Sequence, residues 1–191
     1  MGLATGPDRE PRCEMTASEV VAVVELLEEA GVPVWLDGGW AVDAAIGDQS
    51  RPHDDLDLVV ELRHVDRLVR ALGARRYALG RGQTPESIEL VDSEGRQVDV
   101  HPVVFTPAGN GVYRMENGHD WIYPASGFAG EGRVSGGWVR CLTPEAQMLC
   151  HEGYEPHLSS YDDVWALSDA FGIPVPDAYR GPRESYPDRR A

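Results

Sequence analysis

Basic residues are scarce in this chain. Across 191 residues, 17 Lys plus Arg stand against 32 Asp plus Glu, a formal charge of −15. A surface that holds duplex nucleic acid needs clustered cations to neutralise phosphates, so the balance argues against that class and suits cationic small molecules. Cysteine is scarce too. Cys13, Cys141 and Cys150 are odd in number and lack C-x-x-C metal spacing. They read as reduced thiols, with Cys141 and Cys150 packing as small apolar residues. No uncharged apolar run approaches the ~18 residues of a membrane span, and the N-terminus lacks a signal-peptide layout, so a cytoplasmic protein without a membrane partner is expected. Neither G-x-x-x-x-G-K-[ST] nor G-x-G-x-x-G occurs, which removes the P-loop and the dinucleotide fingerprint as phosphate sites. The 21 Gly and 14 Pro follow no period and no internal repeat is found, so collagen-like and solenoid readings fail.

What is present is 42% hydrophobic residues, enough for a core in one compact domain. Residues 1–15 read as a loose arm. Thr16 with Glu19 three residues on forms a capping box, and Val20, Val23, Val24 and Leu27 then recur at helical spacing to Ala30. Val32 to Leu36 reads as a buried strand, and Trp40 to Ile46 as a helix stopped by Gly47. Leu56, Leu58, Val60 and Leu62 alternate with polar residues, the period of a half-buried strand. A helix from His64 to Leu72 and a short strand from Tyr77 to Leu79 follow. Ile88 to Val91 and Gln97 to Phe105 flank Asp92-Ser93-Glu94-Gly95, a hairpin signal. Residues 106–137 read as a long irregular stretch with room for one short strand, of the kind that often carries substrate contacts. Thr143 and Pro144 open a helix to about Tyr154, Tyr161 to Phe171 suggests another, and an extended tail is expected from Gly172. The expected class is α+β, a mixed sheet flanked by helices. Its core spans 16–140, a C-terminal helical part of the same unit spans 141–172, and the tails are 1–15 and 173–191.

Asp55 and Asp57 lie two apart on a strand, so both leave the same face. Carboxylates that close repel, and a divalent cation such as Mg²⁺ is the natural counter-charge. Asp99 lies inside a second strand, opposite in parity to Val98 and Val100, with His101 on its own face. If the strands are neighbours, the three aspartates meet, and a metal cluster there could activate a hydroxyl and stabilise a leaving pyrophosphate. Asp54 differs in parity and reads as a turn residue. Gly38-Gly39 ends a strand and opens a helix, where free N–H groups can receive phosphate oxygens; the same dipeptide also reads as a plain turn.

Three blocks in order carry a resemblance: Trp35-Leu36-Asp37-Gly38-Gly39-Trp40-Ala41-Val42-Asp43, then Arg51-Pro52-His53-Asp54-Asp55-Leu56-Asp57, then Val98-Asp99-Val100-His101-Pro102. Over residues 16–170 the chain resembles the polymerase β-like nucleotidyltransferases, and within them the small antibiotic nucleotidyltransferases. The D-x-H-P strand and Glu145-Ala146-Gln147 with His151-Glu152-Gly153-Tyr154 are similar to lincosamide nucleotidyltransferases, with aminoglycoside nucleotidyltransferases next. The resemblance implies a mixed-sheet nucleotidyltransferase fold. It also implies Mg²⁺-dependent transfer of a nucleoside monophosphate from ATP or GTP to an antibiotic hydroxyl, with pyrophosphate released and resistance conferred. It assigns Asp55 and Asp57 to metal, Asp99 to metal or to the general base, and Gly38 and Gly39 to the triphosphate. Pro52 departs from the Glu or Lys that relatives often carry, which bears on how Arg51 approaches phosphates.

Arg51 reads equally as a triphosphate contact or as partner of a surface carboxylate. His53 reads as a loop-fixing hydrogen-bonding residue and Trp40 as core. His101 is a substrate contact or a structural hydrogen bond. His151 and Tyr154 line the substrate cleft or pack on the sheet. Trp121, Tyr123 and Trp138 offer a stacking surface or partial core. Small members of the family often pair, so a homodimer stays open. The alternatives are a minimal nucleotidyltransferase acting on a protein or tRNA end, the latter disfavoured by the charge, and an inactive nucleotide-binding module.

Overall fold

The computed structural model describes residues 13–153 and 156–180. Helix α1 (Ala17–Glu29) is followed by strand β1 (Val34–Asp37) and helix α2 (Gly38–Ile46). Strand β2 (Asp55–Glu61), a 3-10 turn and helix α3 (Val65–Ala74) come next. Strands β3 (Ala78–Gly82), β4 (Ile88–Val91) and β5 (Gln97–Phe105) complete a sheet of order β1-β2-β5-β4-β3. Only β2 and β5 run parallel in it; the other pairs are antiparallel. Thus the mixed α+β sheet expected from the sequence is the sheet observed.

Period-two burial explains its orientation. Leu56, Leu58, Val60, Val98 and Val100 are fully buried and pack with Val20, Val23, Leu27, Leu68 and Leu72 of α1 and α3. Residues of the other parity on β2 and β5 form the opposite face. There the sheet is covered in part by a second cluster, with Val59, Val103, Tyr123, Leu142 and Ala146 buried against Trp35, Phe105 and Phe128.

The stretch from 106 to 137, expected as irregular, is mostly ordered. It holds β6 (Gly111–Arg114), β7 (Asp120–Tyr123), a 3-10 turn over Ala125–Ala129 and β8 (Glu131–Val134). Strand β8 pairs with β9 (Gly137–Arg140) in a separate hairpin. The same edge of β5 serves two partners, β4 along residues 97–100 and β6 along 103–105. Pro102, which has no N–H to give a ladder, falls between them.

Helices α4 (Pro144–His151) and α5 (Leu158–Phe171) close the C-terminal side, with α4 capped by Thr143. Helix α4 stops before Tyr154, which lies outside the described residues, and α5 starts three residues before the expected Tyr161. Two expected loose ends are partly packed. Met15 is fully buried and its N–H donates to the His53 carbonyl at 2.8 Å. Beyond Gly172, Tyr179 is fully buried with Val42, Met148, Val164 and Leu167, and its hydroxyl donates to the His151 carbonyl at 2.9 Å. The expected arm before residue 13 lies outside the described residues.

Candidate active site

Strand register builds a row of charge across the sheet. Asp37 of β1, Asp57 of β2, Asp99 of β5, Glu89 of β4 and Arg81 of β3 are successive register partners. Asp55, two residues before Asp57 and on its face, pairs in register with Gln97. Asp55, Asp57 and Asp99 thus share one site, although among the described residues no three side chains are already drawn into a metal cluster. Asp99 is held instead by buried Gln97, whose Nε2 donates to Oδ1 at 2.8 Å and Oδ2 at 2.9 Å.

The row carries strain of charge. Burial pushes the Asp57 carboxyl well above its usual range, and Asp55, Asp99 and Asp37 push it further. Burial likewise raises Asp99, with Asp55 and Glu89 adding to it against the Gln97 hydrogen bond. The cation inside the row is His101. Burial works against its imidazolium, but the hydrogen bond to Asp37 and the charges of Asp57, Asp37 and Asp99 outweigh it and lift it to about 9. Its Nδ1 lies 3.4 Å from Asp37 Oδ2 and its Nε2 3.9 Å from Asp57 Oδ1, while Tyr113 lies over the ring at 5.3 Å. An oxygen-only set with this surplus of buried negative charge fits a hard divalent cation.

Asp37, to which the sequence reading gave no role, anchors the arrangement. Its carboxylate caps α2 by accepting from Gly38 N at 2.8 Å, and accepts from Gln147 Nε2 at 3.0 Å and Tyr123 Oη at 3.0 Å. Burial opposes its charge, yet the His101 hydrogen bond and the other donors hold its carboxyl below the usual range. An Asp before a helix-opening glycine is a preferred N-cap, and Gln97 shares the parity of Asp99, so both signals were present in the sequence.

The two glycines are required by what lies beside them. Gly38 has φ +58, and a Cβ there would lie 2.3 Å from Asp57 Oδ2. A Cβ on Gly39 would meet Arg51 Nη2 and the His53 ring at 2.5 Å. The turn is therefore clasped between the Asp57 carboxylate and the Arg51–His53 loop, with the N-terminus of α2 facing the row. His53 Nε2 pairs with Asp43 Oδ2 at 2.5 Å, both groups buried, and its ring packs on buried Trp40, the loop-fixing and core roles expected. Arg51 is in a bidentate pair with Asp163 of α5, Nε to Oδ1 at 3.0 Å and Nη2 to Oδ2 at 2.8 Å. The expected pairing with a carboxylate is present, but the carboxylate is buried in α5 rather than on the surface.

Above the row opens a cleft of about 290 Å³ whose walls include His101, Tyr113, Met115, Trp121, Cys150 and His151. The three aromatics read as a stacking surface or as partial core separate. Trp121 lines this cleft, Tyr123 is buried on Asp37, and Trp138 is 66% exposed under Arg133 in the β8–β9 hairpin. Cys141 is buried as expected, whereas Cys150 is only partly so. A smaller, polar cleft of about 70 Å³ lies on the other side of His101, lined by Arg81, Ser87, Glu89, Asp99 and Glu116.

A mixed sheet whose two parallel strands carry facing aspartates, beside a glycine turn that opens a helix, defines the class: this is a nucleotidyltransferase fold. The aminoglycoside-2''-adenylyltransferase family profile matches residues 19–167, and the chain belongs to that family. A lincosamide resistance protein of Staphylococcus haemolyticus is 28% identical over 150 residues, 78% of this chain and 92% of that one. A 2''-aminoglycoside nucleotidyltransferase of Escherichia coli is 37% identical over 141 residues, 69% of this chain and 72% of that one. The crystal structure of the lincosamide antibiotic adenylyltransferase LnuA, bound to lincomycin, superposes with a TM-score of 0.73 at 27% identity, covering 83% of this chain and 99% of that one. The protein is thus an antibiotic nucleotidyltransferase, with a nucleoside triphosphate as co-substrate. Among the described residues no helix is long and apolar enough to cross a membrane.

Proposed function

We propose that the protein transfers a nucleoside monophosphate to a hydroxyl of a lincosamide, with Mg²⁺ held by Asp55, Asp57 and Asp99, and so confers resistance. The observation that carries this is the Asp37–Asp57–Asp99 row beside a helix-opening glycine turn, with Asp37, Gly38 and Asp57 lining the same cleft as Tyr113, Met115 and Trp121. The acceptor hydroxyl oxygen bonds to the α-phosphorus, the bond to the bridging oxygen breaks, and pyrophosphate leaves. When bound, Mg²⁺ neutralises the triphosphate and the charge developing on the leaving group. Asp99, whose carboxyl is raised and fixed by Gln97, accepts the hydroxyl proton. The N–H groups at the start of α2, behind Gly38 and Gly39, and Arg51 receive the triphosphate. His101, hydrogen-bonded to Asp37 through Nδ1 and with Nε2 3.9 Å from Asp57 Oδ1, lines the same cleft and contacts the acceptor, and His151 contributes to the acceptor wall.

The aromatic and thioether wall suits the apolar side of a monobasic antibiotic, and the lincosamide relative is matched over nearly its whole length. A second reading, an aminoglycoside acceptor, is favoured by the higher identity of the 2''-aminoglycoside relative and by Glu89 and Glu116 beside Asp99. Incubation with Mg²⁺ and ATP or GTP, with lincomycin, clindamycin, kanamycin and tobramycin in competition, separates them by mass. The expected product is a nucleotidylated lincosamide. Modified aminoglycoside with untouched lincosamides would transfer the proposal to the second reading, and no product on any of the four would defeat both.

A further inference from the structure

The chain contains no lysine, so every permanent side-chain cation it can offer a triphosphate is an arginine. Many are spent elsewhere: Arg63 on Glu61, Arg96 on Asp92 and Glu19, Arg114 on Asp120, Arg180 on Asp177. Arg51 lies against the glycine turn, its Nη2 2.5 Å from where a Gly39 Cβ would be. The guanidinium has five N–H groups, and the described residues take three: Nε and Nη2 by Asp163, and Nη1 by the Pro52 carbonyl at 3.2 Å. The buried end of the pair is the carboxylate, 5% exposed, while the Arg51 side chain is 22% exposed.

We propose that Asp163 of α5 is a positioning residue for the triphosphate site. It holds the Arg51 fork in one orientation at the N-terminus of α2, so that the remaining N–H groups meet phosphate oxygens without first being ordered. This rests on the assignment of Arg51 to the triphosphate. A free arginine loses rotamer freedom on each binding event, whereas one locked by a bidentate carboxylate has lost it on folding. The pair spans 112 residues of sequence, so it also makes α5 part of nucleotide recognition although α5 contributes no residue to the carboxylate row.

The test is calorimetric binding of Mg-ATP, Mg-tripolyphosphate and lincomycin to wild type, Asp163→Asn, Arg51→Gln, the double variant and Arg51→Lys, each with a thermal melt. Asp163→Asn and Arg51→Gln should each weaken Mg-tripolyphosphate by roughly ten- to a hundredfold, the loss of a charge-assisted hydrogen bond. The double variant should bind no worse than Arg51→Gln, and lincomycin affinity should not change. Arg51→Lys keeps the charge and loses the fork, and should weaken tripolyphosphate even if Asp163→Asn does not fold. Wild-type tripolyphosphate affinity in folded Asp163→Asn or in Arg51→Lys, additive losses in the double variant, or an equal loss of lincomycin overturns the positioning role alone. Unchanged affinity in Arg51→Gln, or wild type that binds no Mg-ATP, overturns the triphosphate assignment beneath it.

Discussion

Asp57 of β2 and Asp99 of β5 are register partners on the one parallel pair of the sheet, so their carboxylates leave adjacent strands side by side on the same face. The partners that flank them, Asp37 and Glu89, are also acids. Like charges directly opposite destabilise a sheet, and the cost is concentrated at Asp57, where burial and three neighbouring aspartates push the carboxyl well above its usual range. On the proposed function, the stability given up here is recovered when a divalent cation binds.

Asp57→Asn should therefore abolish turnover while raising the melting temperature at neutral pH. A carboxyl raised by folding lowers stability at every pH where the unfolded chain would ionise, and a neutral amide removes that term. Mg²⁺ should raise the melting temperature of wild type and do so far less in the variant. Near-normal turnover in Asp57→Asn or Asp55→Asn, read from steady-state rates, would sink the metal assignment.

Asp99→Asn should lose about 10²–10⁴ in rate, the usual range for a general base, while Mg-ATP binding survives better than in Asp55→Asn. Gln97→Leu keeps the base and removes what orients it, so it should lose less, with the loss in kcat rather than in KM. If Asp99→Asn turns over normally with binding intact, another group takes the proton.

The three aspartates were legible because strand parity is a two-residue rule, and Leu56, Leu58, Val98 and Val100 mark the buried face unambiguously. The hairpin after β4 was legible for a local reason as well, since Asp92 accepts from the N–H groups of Glu94 and Arg96. What was missed is long-range. The Thr16 cap formed, but the Glu19 carboxylate that a capping box would turn back instead meets Arg96 at 2.9 Å. Strands β6 to β9 are four residues each in Gly-rich sequence and are defined by pairing rather than by alternation. Neither Asp163 opposite Arg51 nor Tyr179 inside the core has any local signature, because each is chosen by a partner far along the chain.

Arg96 gives a stability prediction with a defined pH sign. Burial raises the Asp92 carboxyl, but the Arg96 hydrogen bond and the two backbone N–H groups outweigh it and hold it below its usual value. A carboxyl lowered by folding contributes its stability above the unfolded value and loses it as pH falls through the folded one. Arg96→Gln leaves Asp92 and Glu19 without that partner and should cost about 2 kcal/mol at neutral pH. In melts at falling pH, the gap between wild type and variant should close below the usual carboxylate range; a gap that stays constant would mean that packing, not charge, is what Arg96 supplies.

On the proposed function, the wall of the larger cleft is the acceptor's, and this can be tested at Trp121. Trp121 lies so close to Gly153 that a Cβ there would come within 2.9 Å of the indole, and the missing Cβ sets how far the ring stands back from the cleft. Trp121→Ala removes an aromatic face worth about 1.5–3 kcal/mol when an apolar surface is buried on it, so KM for lincomycin should rise at least tenfold. Gly153→Ala should push the indole into the cleft and raise the same constant, with smaller effect because the ring can turn. On the proposed assignment of the triphosphate to Gly38, Gly39 and Arg51, the KM for ATP should change less than that for lincomycin in both variants, although Gly38 and Asp57 line the same cleft as Trp121. A rise confined to the ATP constant would place the nucleoside base, not the antibiotic, against Trp121, and the acceptor would then belong to the polar cleft of Glu89 and Glu116, where a polycationic antibiotic is the better fit.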